Sequence, residues 1–217
     1  MVVDARSERI EDVVELVADV VFGGGTVIFP HDTSYGIGCD PYHLDAVDRV
    51  YHAKGRPDQR PLTLQVASPA EFLEYARENA LAILAAKRLL PGPITLVVRR
   101  PGFLSGELSA GLSTIGFRVP DAVLARAILD RCGPLAMSSA NASGDPPYRG
   151  ESGDRSRLPS ADLLVEFGPT PYDVESSVVD LTGSRAVLVR EGAVSYDFLC
   201  ERLGPVERQT VKVRTQR

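Results

Sequence analysis

The amino-acid sequence predicts a mixed α/β (α+β) domain organised around one substantial sheet. Short apolar runs typical of buried strands are intermixed along the chain with segments of helical apolar period, which is the pattern of a sheet flanked by helices. The length of 217 residues, with 44% hydrophobic and 24% charged residues, suits a single globular domain. We find no internal repeat, and we predict one domain over residues 1–205 and a basic tail at 206–217 that we expect to be flexible.

The elements follow in chain order from local patterns. Apolar residues recur at helical spacing from Ile10 to Val21, and "GGG" at 23–25 ends this first helix. The strand "TVIFP" comes next, and the helical period returns in "LDAVDRVYHAK". "PAEFLEYARENALAILAAKRLL" predicts one broken helix or two, and the later helices are "DAVLARAILDRC" and "SYDFLCERL". The remaining strands are predicted at "LTLQV", "ITLVVRR", "IGFRVP", "PLAMSSA", "DLLVEF", "SSVVDL" and "AVLVRE".

One long segment without an element lies at residues 142–160, where Gly, Pro, Ser and charged residues predominate. This composition predicts a surface loop. With Tyr148 and Arg149, the loop would suit a lid over a ligand, and an ordinary exposed loop is the alternative.

Composition limits the classes of function. No run of 18 apolar residues is present, so we do not expect a membrane span, and the mixed charges of "MVVDARSERIED" do not predict an export signal. The three cysteines lie far apart without a CxxC spacing, which favours the reducing cytoplasm and predicts neither a disulfide nor a zinc site. The net charge of −5 argues against a dedicated RNA binder, because phosphate contacts demand a basic face. A local basic pocket for a phosphorylated small molecule remains open.

Several common site motifs are missing from the sequence. It contains no GxxxxGK[ST] loop and no GxSxG elbow, and Pro41 replaces the third glycine after "GIG", so a dinucleotide fold is not supported. The three histidines show no metal-ligand spacing, and we predict no protein metal site.

Polar groups gather instead after predicted strands and helices. They occur in "PHDTSYG", "KGRPDQRPL", "GFRVP", "SSANASG", "VESSVVD" and "VREG". Each segment alone could be a simple turn, but loops that leave strand ends often build one ligand site together. Lys54 and Arg56 follow an amphipathic helix, where their charges suit either the helix C-terminal dipole or a bound phosphate or carboxylate.

Taken in order, seven of these segments resemble the YrdC/Sua5 family of threonylcarbamoyl-AMP synthases, in its short single-domain form. The matching pieces are "FPHDTSYGIGCDP", "AKGRPDQRPLTLQV", "PGPITLVV", "GFRVP", "SSANASG", "VESSVVDLT" and "VLVREG". The resemblance implies a YrdC-like twisted mixed sheet with flanking helices and one large concave cavity. It also implies a reaction of L-threonine, bicarbonate or CO2, and ATP, which gives threonylcarbamoyl-adenylate, pyrophosphate and water for t6A formation in tRNAs.

The resemblance also implies the roles of particular residues and partners. The catalytic residues would be Lys54 and Arg56, and the ATP-binding residues would be Lys54, Arg56, Ser138, Ser139, Asn141 and Arg190. The amino-acid-binding residues would be Thr33, Tyr35, Arg118 and Ser176. Mg²⁺ would be carried in with ATP. A separate tRNA-modifying transferase complex would complete the pathway, so contact with tRNA or double-stranded RNA would be weak or indirect.

Two positions depart from the family pattern. His31 stands where the family usually has a threonine, and Gln65 stands where many members carry a histidine. Both belong to the amino-acid side of the implied cavity. One interpretation is mutual compensation or drift; another is that the acceptor amine is not L-threonine. A non-catalytic nucleotide- or RNA-binding module of the same fold is a third hypothesis.

Overall fold

The computed structural model describes residues 1–55, 60–76, 79–142, 145–150, 155–172 and 174–209. Within these ranges the chain forms six α-helices, eleven β-strands and two short 3-10 helices. The helices are α1 (Ile10–Phe22), α2 (Leu44–Ala53), α3 (Pro69–Ala76), α4 (Ala80–Leu89), α5 (Val123–Cys132) and α6 (Tyr196–Leu203). The strands are β1 (Val2–Asp4), β2 (Val27–Pro30), β3 (Tyr35–Cys39), β4 (Thr63–Gln65), β5 (Ile94–Arg99), β6 (Thr114–Arg118), β7 (Leu135–Ser139), β8 (Leu163–Glu166), β9 (Ser177–Asp180), β10 (Ala186–Arg190) and β11 (Val206–Arg208).

All of these strands join one mixed sheet, in the order β1-β8-β2-β3-β7-β4-β6-β5-β9-β10-β11. The pairs β2–β3, β3–β7, β7–β4, β6–β5 and β9–β10 are antiparallel. The pairs β1–β8, β8–β2, β4–β6, β5–β9 and β10–β11 are parallel. The predicted mixed sheet with flanking helices is therefore confirmed.

The two faces of the sheet carry different side chains, because successive residues of a strand point to opposite faces. One face holds apolar side chains such as Leu64, Leu96 and Phe117, which form the larger core with α2, α3, α4 and α6. On the other face, α1 and α5 pack against Phe29 and Leu135 near one end of the sheet and form a smaller core. The strands β4, β6, β5 and β9 bear small and polar side chains on this second face, and they form the floor of a cavity.

The segment that predicted one broken helix or two forms two helices, α3 and α4. Asn79 explains where the second begins, because its side chain accepts a hydrogen bond from the Ala82 backbone N–H at 3.1 Å. Such a cap satisfies one of the backbone donors that every helix start leaves without an intrahelical partner.

Three strands were not predicted from the sequence. β1 and β11 are three-residue strands at the two edges of the sheet, and β3 contains the Gly-x-Gly that follows the polar loop. A Cβ on Gly36 would lie 2.2 Å from His31 Cε1, and one on Gly38 would lie 1.9 Å from Met137 Sδ. The glycines therefore let neighbouring side chains cross β3, although glycine is otherwise depleted in strands.

The predicted boundary after residue 205 is wrong, because Val206–Arg208 is strand β11 and pairs in parallel with β10. Backbone pairing with an edge strand brings these residues into the sheet. Residues 210–217, the rest of the predicted tail, lie outside the described residues.

None of the helices within the described ranges combines the length and the apolar character that crossing a bilayer requires.

Candidate active site

A cavity of about 570 Å³ lies on the second face of the sheet, beside the region packed by α1 and α5. Its strand residues alternate with core residues: Thr63 and Gln65 in β4, Thr95 and Val97 in β5, Thr114, Gly116 and Arg118 in β6, and Val178 and Asp180 in β9. Several of these side chains are small, which leaves room above the sheet. The site therefore lies on the strands themselves, and not only in the loops after them as the sequence suggested.

The loop from β2 to β3 forms one wall of the cavity. His31, Asp32, Thr33 and Ser34 are all buried, and the His31 backbone N–H donates to the Ser34 carbonyl at 3.0 Å. His31, Thr33 and Ser34 line the cavity, whereas Asp32 lies behind them and binds Arg118. The polar loop is thus a folded turn that supports a cation in the site.

Arg118 is the buried cation of this wall, with 6% of its surface exposed. Its Nη2 donates to Asp32 Oδ1 and, at 3.0 Å, to Thr33 Oγ1. Its Nε has no hydrogen-bond partner within the described ranges. Burial lowers the pKa of Arg118, and the Asp32 carboxylate opposes that shift. Arg118 is therefore a guanidinium fixed by Asp32 and Thr33, with one buried donor that these two residues do not satisfy.

Arg190 and Ser176 form the opposite wall. The Arg190 guanidinium donates from Nε and Nη2 to the Ser176 carbonyl at 3.1 and 2.8 Å, and its Nη1 pairs with Glu175 at 3.0 Å. Ser176 Oγ lies 3.2 Å from Thr95 Oγ1. The charge of Arg190 also contributes to the lowered pKa of Arg118. The positive charges of Arg118 and Arg190 are therefore close enough to interact, and both residues line the same cavity.

Lys54 does not line this cavity, although the resemblance made it a catalytic and ATP-binding residue. Only 2% of its surface is exposed, and its Nζ donates to the Ser139 carbonyl and, at 2.9 Å, to the Asn141 carbonyl. Asn141 is likewise turned into its own loop, where Nδ2 donates to the Ala142 and Asp145 carbonyls at 2.9 and 2.6 Å. Both side chains hold the "SSAN" segment in place.

The remaining predicted residues divide between cavity and core. Ser138 and Ser139 line the cavity at the end of β7. Tyr35 points to the other face of β3: it is fully buried in the larger core, and its hydroxyl donates to the Gly168 carbonyl at 2.8 Å. We expected Tyr35 to shape the amino-acid end of the cavity, but alternate residues of a strand point to opposite faces, and Tyr35 is on the face away from the cavity. Arg56 lies outside the described residues, and its neighbour Arg60 lines the cavity.

Of the proposed lid, residues 142–160, the structure describes residue 142 and the ranges 145–150 and 155–160. The Tyr148 carbonyl accepts a hydrogen bond from the Tyr35 N–H at 2.9 Å, and the Arg149 carbonyl accepts one from the Thr170 N–H at the same distance. The Tyr35 and Tyr148 rings meet edge to face with centroids 5.0 Å apart. This part of the loop is joined to the body of the domain.

His31 and Gln65, the two departures from the family pattern, both face the cavity. Burial and, to a smaller extent, the nearby charge of Arg118 lower the pKa of His31 to about 3, so the imidazole is neutral at physiological pH. Its ring also meets Phe29 edge to face, with centroids 4.8 Å apart. His31 is a fixed neutral group of the wall, not a cation.

Several lining residues were not identified from the sequence, chiefly Thr63, Thr95, Glu175 and Asp180. A signal was present in "LTLQV", where polar residues alternate with apolar ones at the spacing of a strand with one polar face. The two carboxylates are already engaged. Glu175 pairs with Arg190, and Asp180 Oδ1 accepts from the Thr182 N–H and hydroxyl at 2.7 and 2.6 Å. Among the described residues, no group of three His, Cys, Asp or Glu side chains could hold a metal ion.

Comparison with known proteins gives consistent matches. The family model Sua5/YciO/YrdC, described as telomere recombination, matches residues 19–192. The threonylcarbamoyl-AMP synthase of Bacillus subtilis is 36% identical over 186 residues, which are 83% of this chain and 53% of that protein. The Pyrococcus abyssi synthase is 32% identical over 203 residues, or 92% of this chain and 60% of that protein. The chain thus spans only about half to three fifths of these relatives.

Solved structures of the same family also align with this chain over most of its length. Pyrococcus abyssi Sua5 in complex with L-threonine aligns with a TM-score of 0.85 at 30% identity, over 96% of this chain and 62% of that one. Escherichia coli YciO aligns with a TM-score of 0.77 at 25% identity, over 89% of this chain and 95% of that one.

Proposed function

The chain belongs to the Sua5/YciO/YrdC family, and from that membership and the cavity we propose that it is an L-threonylcarbamoyladenylate synthase acting in t6A biosynthesis. The substrates would be L-threonine, bicarbonate or CO2, and ATP. The observation that carries the proposal is the pair of guanidinium groups, Arg118 and Arg190, which face one cavity from opposite walls. Two anionic substrates need such cations.

The reaction explains the need for two cations. The neutral amine of threonine takes up bicarbonate with loss of water and forms a carbamate. A carbamate oxygen then attacks the α-phosphorus of ATP, the bond to the β-phosphate oxygen breaks, and pyrophosphate leaves. Both partners are anions, so catalysis consists mainly of positioning and charge neutralisation.

We assign the two walls to the two substrates. Arg118, with Thr33 beside it, would bind the threonine carboxylate, because the residue lines the cavity and carries a buried positive charge. Arg190, Ser138, Ser139 and Ser176 would face the nucleotide. Arg60 supplies a further cation near the phosphates, and Arg56 is assigned with it by resemblance.

Lys54 receives a different role from the one the resemblance implied. Its ammonium is buried under the Ser139 and Asn141 carbonyls, so we propose that it is a positioning residue that shapes the nucleotide side of the cavity. Asn141 acts in the same way through the Ala142 and Asp145 carbonyls.

We propose that Mg²⁺ enters with ATP. The carboxylates of Glu175 and Asp180 would contact the ion through its water ligands and not directly, because each already accepts hydrogen bonds from its own neighbours. Magnesium retains phosphate and water ligands readily, and bound there it would neutralise phosphate charge.

The test is pyrophosphate release from ATP, Mg²⁺ and bicarbonate, with L-threonine and then with other amino acids, and mass spectrometry of the adenylate. We expect a threonylcarbamoyl-adenylate that forms only when all substrates are present. Arg118→Gln should lose at least about 100-fold in kcat/KM, as expected when a buried charge–carboxylate contact is removed. Arg157→Gln, an exposed arginine outside the cavity, is the matched control.

A second candidate is a synthase with another acceptor, and the presence of His31 and Gln65 in the cavity favours testing it. Formation of an adenylate only with a different amino acid would select this candidate. ATP binding without pyrophosphate release would instead select a nucleotide- or RNA-binding module. A transferase complex as partner, weak contact with tRNA and a cytoplasmic location stay predictions.

A further inference from the structure

A short segment, residues 167–172, lies behind the cavity wall that the loop from β2 to β3 forms, and we call it the strap. The Tyr172 N–H donates to the Asp32 carbonyl at 3.1 Å. Thr170 Oγ1 donates to the Thr33 carbonyl at 3.3 Å. The strap therefore binds this wall through the backbone of two adjacent residues.

The two residues that the strap binds are the ones that fix Arg118. The Arg118 Nη2 donates to Asp32 Oδ1 and, at 3.0 Å, to Thr33 Oγ1. Asp32 is fully buried, and its other carboxylate oxygen accepts from the Asp121 N–H at 3.2 Å. Because Asp32 binds the strap with its backbone and Arg118 with its side chain, a shift of the strap moves the guanidinium.

The sequence of the strap makes it stiff. Pro169 and Pro171 have fixed φ angles and no N–H, and a residue that precedes proline is restricted to extended conformations. The Thr170 N–H, between the two prolines, donates to the Arg149 carbonyl at 2.9 Å. With these φ angles fixed, a displacement at the start of the strap is transmitted to Tyr172 at its end.

The Tyr35 hydroxyl fixes the start of the strap. It donates to the Gly168 carbonyl at 2.8 Å and accepts from the Phe167 N–H at 3.0 Å. A Cβ on Gly150 would lie 2.2 Å from the Gly168 carbonyl oxygen and 2.8 Å from Tyr35 Cε2, so the three residues are in close contact. Tyr35 is fully buried, and a buried hydroxyl that both donates and accepts is a firm anchor.

We propose that Tyr35 is a positioning residue for the amino-acid side of the cavity, which acts through the strap on Asp32 and Arg118. It does not touch the substrate, because it lies on the face of β3 away from the cavity. The inference rests on the proposed function for the identity of the ligand of Arg118. The path of hydrogen bonds from Tyr35 to the wall does not depend on that function.

Tyr35→Phe tests the role, because it removes the hydroxyl and keeps the ring that packs against Tyr148. We expect KM for L-threonine to rise at least about 5-fold, as for a lost buried hydrogen bond, while kcat and KM for ATP stay within about 2-fold of native. A purely structural role would lower the folded fraction, and with it kcat, without raising KM for one substrate. Tyr196→Phe is the matched control, since that hydroxyl donates to the Val206 carbonyl at 2.9 Å on the edge strand β11, and it should leave all three values unchanged.

Thr170→Val breaks the path at a second place and leaves Tyr35 in position. It removes the hydroxyl that binds the Thr33 carbonyl, so KM for L-threonine should again rise while KM for ATP does not. Because the two residues act on one path, the effect of the double variant on KM should differ from the product of the single effects by at least about 3-fold. Effects that simply multiply would show that the residues act independently and would overturn the proposal.

Hydrogen exchange of the chain without ligand distinguishes this inference from the proposed function. In Tyr35→Phe the amides of Thr170 and Tyr172 should exchange at least about 10-fold faster than in the native chain, and those of β5 should not change. Faster exchange there, without pyrophosphate release by the native chain from any amino acid, would reject the synthase and retain the role of Tyr35 in the wall. Turnover with an unchanged KM for L-threonine, or unchanged exchange, in folded Tyr35→Phe would overturn the inference and leave the synthase intact.

Discussion

Lys54 shows at the scale of a residue how context decides what a cation does. Its sequence neighbours suggest a phosphate ligand, yet its ammonium is buried and donates to the Ser139 and Asn141 carbonyls. A buried charge needs such partners, because removal from water is costly. Its influence on the site passes through the loop that it holds.

Replacement of Lys54 tests this role. We expect Lys54→Met to lower the free energy of unfolding by about 1–3 kcal/mol, because two buried carbonyls lose their donor, and to raise KM for ATP. Urea unfolding and pyrophosphate-release kinetics measure the two effects, and Lys87→Met, at an exposed lysine of α4, is the control. Lost turnover with unchanged stability would instead indicate a direct contact with substrate.

The buried histidine makes a second prediction at this scale, which concerns pH. The pKa of His31 falls from 6.5 to about 3 on folding, so between these values the unfolded chain binds a proton that the folded chain does not. Stability should therefore decrease as pH falls through this window. From pH 7 to pH 5 the native chain should lose about 2 kcal/mol more than His31→Phe, by proton linkage. Equal losses in urea unfolding at the two pH values would show that His31 is solvated.

At the scale of elements, close contacts between backbones align the wall that holds Arg190. A Cβ on Gly192 would lie 2.2 Å from the Glu175 carbonyl oxygen and 2.7 Å from the Ser176 carbonyl carbon. The Gly192 N–H also donates to Ser177 Oγ at 2.9 Å. The turn after β10 therefore sets the position of the segment that carries Glu175 and Ser176.

Gly192→Ala should force these segments apart. We expect a loss of about 1–3 kcal/mol in unfolding free energy, typical of overpacking, with a larger KM for ATP because Arg190 loses its alignment. Gly102→Ala is the matched control, since a Cβ there would meet nothing within 4 Å. Equal stability of the two variants in urea unfolding would contradict the tight contact.

Elements also show where sequence patterns succeed and fail. The apolar periods of α1 and β5 predicted both elements because burial imposes those periods. β3 was missed because its glycines serve the side chains of His31 and Met137, a requirement visible only once the strands are paired. Tyr35 was misassigned for the same reason, since the face to which it points depends on β3 being a strand.

At the scale of the whole molecule, the net charge of −5 governs contact with nucleic acid. We expect tRNA to bind with a Kd weaker than about 1 µM at 0.15 M salt, because non-specific affinity comes from neutralised phosphates. Filter binding at 50 and 200 mM salt measures both affinity and salt dependence. Nanomolar binding that persists at 200 mM salt would require a basic surface and would favour an RNA-binding module.

The candidate site could be located from the sequence in its segments but not in its geometry. The order of the polar segments identified the cavity walls that carry Thr33, Arg118, Ser176 and Arg190. Sequence alone could not show that Lys54 and Asn141 turn away from the cavity, because the partners of both are backbone carbonyls. Lys54 reaches those of another segment, and Asn141 reaches those of its own loop. Every residue has a backbone carbonyl, so a side chain that binds one has no partner that can be recognised in the sequence by its residue type.

The alternation of core and cavity residues along β4, β5 and β6 has an evolutionary consequence. Leu64, Leu96 and Phe117 stabilise the fold from one face, while their neighbours Gln65, Thr95 and Arg118 contact the ligand space from the other. Mutations at Gln65 and Thr95 leave the apolar core intact, whereas Arg118 is held by its buried ion pair with Asp32 and is less free to change. The same scaffold can thus acquire new substrate preferences one residue at a time, without passing through unfolded ancestors.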